Sequence, residues 1–248
     1  MKILVAVKRV IDYNVQVRVK EDGTGVVTDN IKMSTNPPDD NAIEEAVRIK
    51  ESGKAKEVVA VTVGEDKAQE TVRKALAVGA DKGIHVKVEG LVEPLAVSKI
   101  LQKIVEKEKP DLVFMGKQAI DDDCNQTGQM LAALLNWPQA TFASKISFSD
   151  GKAQVTREVD TGLETIEVTM PAIVTADLRL NEPRYVKLTD IMKAKRKPLE
   201  IIAFEEFGIT PKNTINIINT EPPEERQKGI MVDNVTALIT ELENKGLV

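Results

Sequence analysis

Four short apolar runs constrain this chain more than any other feature: "KILVAVK" (2–8), "EVVAVTV" (57–63), "GIHVKV" (83–88) and "DLVFMG" (111–116). They are close to continuously apolar, the pattern of parallel strands covered on both faces. Helix-period segments separate them. In "DDNAIEEAVRIKESG", Ile43, Ala46, Val47 and Ile49 recur at helical spacing, with Asp39 or Asp40 placed to N-cap and Gly53 to stop the helix. "EDKAQETVRKALAVG" and "PLAVSKILQKIVEKEK" repeat the pattern, the latter ending before Pro110. Alternating βα units of this kind build an α/β, doubly wound, mostly parallel sheet.

Departures from the repeat extend that frame. The insert "NVQVRVKEDGTGVVT" (14–28) alternates and turns at Asp22-Gly23, which predicts a hairpin on the edge of the sheet. After Trp137-Pro138, the stretch through "PAIVTAD" is strand-rich with turns at Asp150-Gly151 and Thr161-Gly162, and reads as an antiparallel extension of the sheet. From Asn181 onward, Pro183, Pro198, Pro211, Pro222 and Pro223 punctuate the chain until helical spacing returns in "DNVTALITELENKG" (233–246). The organisation expected is an α/β domain over 1–200 and an extended C-terminal arm over 201–248. Such an arm buries little alone and is suited to wrapping a partner protein.

Composition narrows the function. The 248 residues carry a net charge of -5 and only 3% aromatics, leaving neither a basic pull toward nucleic acid nor stacking platforms for bases. No run approaches the roughly 18 apolar residues of a membrane span, and charge arrives too early in "MKILVAVKRV" for a secretory segment. One cysteine, Cys124, and one histidine, His85, cannot supply a disulfide, a zinc site or a Ser-His pair. A soluble protein of the reducing cytoplasm is the expectation.

Ligands of doubly wound sheets sit beyond the strand ends where the winding reverses, a place usually flanked by the loops after the first and fourth strands. The fourth is followed by "GKQAIDDDCNQTGQM" (116–130): Gly116, where backbone can approach a ligand, then polar Gln118, Asn125, Gln126 and Thr127 near the start of a helix. Free N–H groups and the helix dipole favour a phosphate there. Asp121, Asp122 and Asp123 are open to three readings: a metal site, helix capping by Asp122 or Asp123, or one wall of a nucleotide loop. The calcium pattern D-x-D-x-D-G is absent, as are G-x-G-x-x-G and the Walker motif. "MSTNPPDDNA" offers a second helix start at Asn36-Pro37-Pro38, and Arg9 and Tyr13 follow the first strand. Cys124 reads as a packed, inert thiol among aspartates and His85 as a strand-edge histidine without catalytic work. In "EPRYVKLTDIMKAKRKPLE", Arg184, Lys187, Lys193, Lys195, Arg196 and Lys197 form a basic island around apolar Leu188, Ile191 and Met192, an exposed anchor with a cationic rim.

These stretches together resemble the electron transfer flavoprotein β-subunit family, from "LVAVKRVIDY" through "GVVTDNIKMSTNPPDDNAIEEAVRIKE", "DLVFMGKQAIDDDCNQTGQM" and "WPQATFASKI" to "VTREVDTGLETIEVTMPAIVTADLRLNEPRYVKLTDIMKAKRKP". The resemblance implies an adenine-nucleotide alpha-hydrolase-like fold and a heterodimer whose α subunit holds most of the FAD. It implies a structural AMP in this subunit, touched by Ala6, Asn36, Pro37, Pro38, Asp39 and Val63. The loop Gly116, Lys117, Gln118, Ala119, Ile120, Asp121, Asp122, Asp123, Cys124, Asn125, Gln126 and Thr127 would complete the AMP site. It further implies that Tyr13 reaches toward the flavin and that Leu188 anchors partner dehydrogenases, with Ile191, Met192, Lys193, Lys195, Arg196 and Lys197 beside it. The activity implied is a carrier's, not an enzyme's: electrons accepted from flavin dehydrogenases, such as the acyl-CoA dehydrogenases of fatty acid oxidation, pass to a quinone oxidoreductase. A flavin-bifurcating relative, with a second FAD in place of AMP and NADH as donor, is the alternative, and Cys124 to Thr127 favour AMP. A nucleotide-hydrolysing enzyme and a nucleotide-free scaffold are the remaining readings.

Overall fold

The computed structural model describes residues 1–90, 92–209, 214–226 and 228–248; Pro211 lies outside the described residues. They form two compact units, Met1–Gln16 with Thr28–Asn216, and Val17–Val27 with Ile217–Val248.

In the first unit the chain runs β1 (Lys2–Ala6), β2 (Arg9–Ile11), β3 (Met33–Thr35), α1 (Pro37–Glu51), β4 (Glu57–Gly64), α2 (Gln69–Val78), β5 (Lys82–Lys87), α3 (Pro94–Glu108), β6 (Leu112–Gly116) and α4 (Thr127–Leu135). It continues through β7 (Gln139–Ser149), β8 (Lys152–Val159), β9 (Gly162–Thr169), β10 (Ala172–Ala176), α5 (Leu188–Ala194) and β11 (Leu199–Ala203). The second unit contributes α6 (Val235–Asn244). Nine strands form one sheet in the order β11-β5-β4-β1-β6-β10-β7-β8-β9, parallel from β11 to β7 and antiparallel at β8 and β9; β2 and β3 pair as a separate ribbon.

Alternation along the strands explains why helices cover both faces. Ile3 and Val5 join a buried cluster with Ile43 and Val47 of α1 and Val72 and Leu76 of α2, while Leu4 joins one with Ile100 and Ile104 of α3 and Leu131 of α4. Large side chains such as Phe114 and Leu112 are fully buried, each contributing about 1.5–3 kcal/mol of transfer free energy. α1 opens on Pro37 with Asp39 and Asp40 in its first turn and closes with Arg48 and Lys50 in its last, charges that complement the helix dipole at both ends.

Five expectations are corrected. The N-cap position of α1 is Asn36, so Asp39 and Asp40 lie inside the first turn rather than at the cap. The hairpin does turn at Gly23, with Lys20 N–H donating to Gly25 O at 2.9 Å, but it joins no edge of the nine-stranded sheet and belongs to the second unit. The strand-rich segment is antiparallel only at β8 and β9, because β10 returns to slot between β6 and β7, parallel to both. The 200/201 boundary falls inside β11, which pairs with β5 from Leu199–Gly83 to Ala203–Lys87. β11 also makes β5 an interior strand, so His85 is not at an edge: it is 1% exposed, with Nε2 3.0 Å from Gly64 O.

Candidate functional site

The sheet order itself locates a site. From β1 the winding proceeds to β4 and β5 on one side, then α3 carries the chain back to β6 on the other, so the reversal lies between β1 and β6. Ala6, Val63 and Gly116 stand at or near the carboxyl ends of three adjacent strands.

Two side chains of the α1 N-terminus lace the reversal together. Asp39 accepts the Lys8 N–H on Oδ2 at 2.7 Å and the Gly116 N–H on Oδ1 at 2.8 Å, joining the chain just after β1 to the end of β6. Asn36 donates from Nδ2 to Gln118 O at 2.8 Å and accepts the Ile120 N–H on Oδ1 at 3.1 Å. Burial pushes the Asp39 carboxyl up to about 7, against the two backbone N–H groups and the Asn36 side chain, which favour its ionised form. Gly116 also makes room for a neighbouring element. A Cβ there would strike Asp39 Oδ1 and stand 2.7 Å from Pro38 Cβ, so its missing side chain admits the helix start of α1.

The aspartate run is held by a residue that the sequence reading passed over. Lys8 Nζ lies 2.9 Å from Asp121 Oδ1 and 2.8 Å from Asp122 Oδ2. Burial opposes the Asp122 charge, but hydrogen bonds from Lys8 and the Cys124 N–H outweigh it and leave the carboxyl below its ordinary range. Asp123 accepts from Gln118 Nε2 at 2.8 Å. Neither Asp122 nor Asp123 caps a helix: α4 begins only at Thr127, after Asp123 and Asn125 have turned the backbone left-handed at φ 49° and 51°. The Cys124 thiol is pushed up by burial and by Asp122, which removes the thiolate that reactivity would need. Among the described residues no group of three or more His, Cys, Asp or Glu is arranged to hold a metal.

α4 therefore starts with an open N-terminal turn. No side chain caps it, and among the described residues no acceptor meets the N–H groups of Thr127, Gly128 and Gln129; the first bonded amide is Met130, to Gln126 O at 2.9 Å. Gln129 Nε2 donates to Asn125 Oδ1 at 2.9 Å, while its Oε1 is buried without a partner. Lys117 does not present its ammonium to this turn. Its Nζ is 2.7 Å from Asp177 Oδ2 and 5.5 Å from the centre of the Phe142 ring.

The second expected site lies on α5. Leu188 is 74% exposed, and Ile191 and Met192 are exposed beside it. Lys195 and Arg196 are exposed on the surface, and among the described residues the Lys193 ammonium reaches only Asp190, at 3.2 Å. Two members of the basic island are used elsewhere. Lys197 donates to Leu76 O at 2.9 Å and Ala80 O at 2.6 Å, closing the C-terminal end of α2. Arg184 forks onto Glu44 and Glu51 of α1. Arg73 of α2 answers with bonds to Ala194 O at 3.0 Å and Lys197 O at 3.2 Å, so the helix that displays Leu188 is fastened from both sides. Beside α5 opens a groove of about 1070 Å³, lined by Tyr13, Arg73, Tyr185 and Ile191 among others. Tyr185 is 96% exposed and was missed because a lone tyrosine in a proline-rich segment carries no periodic signal.

Residues 24–206 match the electron transfer flavoprotein domain. The chain is 57% identical over 245 residues to the electron transfer flavoprotein subunit beta of Bradyrhizobium diazoefficiens, covering 99% of this chain and 98% of the relative. It is 55% identical over 247 residues to the electron transfer flavoprotein subunit beta, mitochondrial, of Arabidopsis thaliana and 53% identical over 250 residues to the electron transfer flavoprotein subunit beta of Homo sapiens, with 99% of this chain and 98% of the relative covered in each case. The chain belongs to the electron transfer flavoprotein family, as a β subunit.

Proposed function

We propose that this subunit holds a structural AMP at the β1–β6 reversal and docks flavin dehydrogenases through α5, while an α subunit holds the FAD. The open turn of α4 carries the AMP reading. Three unmet N–H groups at a helix N-terminus suit a phosphate, and the buried, unpartnered Gln129 Oε1 is an acceptor that a bound group can satisfy. Three neighbouring aspartates would oppose a phosphate, but Lys8 offsets two of them, Asp121 and Asp122. Asn36 and Asp39 fix the loop, and Ala6, Val63 and residues 116–127 supply the walls.

When bound, FAD supplies the electron chemistry; this chain's residues position and dock. The carrier role assigns no catalytic step to His85, which lies against Gly64 O, or to Cys124, whose thiol burial and Asp122 push up. Leu188, Ile191 and Met192 form an apolar anchor with Lys195 and Arg196 at its rim, the arrangement of an interface hot spot. Electrons are taken from flavin dehydrogenases, with acyl-CoA dehydrogenases as the example, and passed to a quinone oxidoreductase. Tyr13, 72% exposed in the groove beside α5, is available to the flavin of the α subunit. No helix among the described residues is long and apolar enough to cross a membrane. Cytoplasm is the compartment we assign, although the Arabidopsis relative is mitochondrial by name.

Nucleotide released on denaturing the purified heterodimer tests the reading. One AMP and one FAD per heterodimer are expected. Two FAD would instead establish the bifurcating arrangement, and a heterodimer carrying no AMP would refute the site.

A further inference from the structure

The second unit lacks what a folded unit needs. Among its described residues none is buried, and α6 has no buried face. It leaves Val17, Ile218, Met231, Val235 and Leu238 exposed at 45–94%. A unit that buries no side chain gains little to offset the conformational entropy of ordering it, so an apolar partner would stabilise it. Within this unit, two segments almost 200 residues apart in sequence are joined. Thr220 N–H donates to Gly23 O at 2.9 Å, and a Cβ on Gly23, whose φ is +67°, would run into Asn219 Oδ1. Val19 and Val26 bridge across the hairpin, and a groove of about 790 Å³ opens between hairpin and arm, with Val17, Val19, Val26, Pro222 and Pro223 in its lining.

We propose that the hairpin of residues 17–27 is part of the interface with the α subunit, held to the C-terminal arm by Gly23, and that a segment of the α subunit fills the groove between them. The inference rests on the reading of the arm as the element that wraps the partner. It adds a second jaw that the sequence assigned to the edge of the sheet. The glycine is favoured because its backbone is left-handed, a conformation that L side chains rarely adopt, and an added Cβ would displace the Asn219 side chain that lies against it. The α subunit is the occupant because the relatives are named as subunit beta, a name that implies an alpha subunit, and because no described residue of either segment is buried. The lining sets Val17, Val19, Val26, Pro222 and Pro223 among charged Arg18, Lys20, Glu21, Asp22 and Glu221, which calls for a segment of that subunit with an apolar centre and polar flanks.

The test measures binding of the α subunit to the full-length chain and to three variants: Gly23→Ala, Val17→Asp, and a truncation lacking residues 217–248. Gly23→Ala and Val17→Asp are each expected to weaken binding roughly tenfold or more, as loss of an interface contact does, with AMP content and the unfolding transition of the isolated chain unchanged. Hydrogen exchange supplies an independent readout. Amides of residues 17–27 are expected to be protected in the heterodimer and to lose that protection in the truncated chain. Unchanged affinity of both point variants, with weakened binding by the truncation, would overturn the hairpin's role while leaving the arm reading intact. Full affinity of the truncation would remove the arm reading itself. Protection of residues 17–27 through self-association, without the α subunit, would also overturn the proposal.

Discussion

Replacing Arg184 by Ala isolates the bond set that ties the docking segment to the α/β core. The guanidinium makes four donations: Nε to Glu44 Oε2 at 2.8 Å, Nη2 to Glu44 Oε1 at 3.1 Å, Nη1 to Glu51 Oε1 at 2.6 Å and Nη2 to Glu51 Oε2 at 2.8 Å. Glu44 has only 2% of its side chain exposed, whereas Glu51 is 55% exposed. Removing one partner of a buried pair costs about 3–5 kcal/mol when the remaining charge is stranded. Here the stranding is partial, because Arg48 Nε keeps Glu44 Oε1 at 2.5 Å and the Arg184 side chain is itself 34% exposed. Discounted for that retained partner and for solvent screening, the loss is about 2 kcal/mol, nearly all of it on Glu44. The pH dependence supplies the signature. Burial raises the Glu44 carboxyl, but Arg184 and Arg48 outweigh it and hold the folded-state value below the ordinary 4.5. The stability this contributes is fully present above 4.5 and is lost as pH falls through the folded value. Urea unfolding of wild type and Arg184→Ala should therefore differ by about 2 kcal/mol at neutral pH and converge below the carboxylate range. A gap under about 0.5 kcal/mol at neutral pH, the ordinary range for surface changes, would refute the argument, as would one that persists on acidification.

Leu188→Ala should lower electron acceptance from partner dehydrogenases about tenfold at limiting carrier, with nucleotide content and unfolding unchanged, since the residue is mostly exposed and contributes little to the fold; normal transfer would remove the docking assignment. Gly116→Ala should destabilise by about 1–3 kcal/mol and release AMP, because its Cβ has no room beside Pro38 and Asp39; a thermal melt and nucleotide content read both effects. Lys8→Met should free Asp121 and Asp122 to repel a phosphate, so AMP retention should fall at low ionic strength and recover as salt screens the carboxylates. Retention insensitive to salt would show that Lys8 does not offset them.

Local pattern carried the fold where burial on both faces leaves little choice. β1, β4, β5 and β6 are continuous apolar runs, and the helices between them carry their own stops, such as Lys109 in the left-handed conformation ahead of Pro110. The order of those strands places the winding reversal at the loop that sequence reasoning had singled out. What stayed illegible depends on partners remote in sequence. "PAIVTA" has the same character whether it extends a meander or slots between β6 and β7, and "LEIIA" becomes a strand because β5 offers it an edge. Asp39 has the spacing of a cap, yet its carboxyl serves Lys8 and Gly116, 31 and 77 residues away. The charges show the same division most clearly. Of the basic residues grouped around Leu188, Arg184 and Lys197 secure α5 to α1 and α2, while Lys195 and Arg196 remain on the surface. A run of like charges can therefore contain both the fastening of a docking element and its contact rim. Only the acceptors, Glu44 and Glu51 on one side and the carbonyls of Leu76 and Ala80 on the other, tell the two apart.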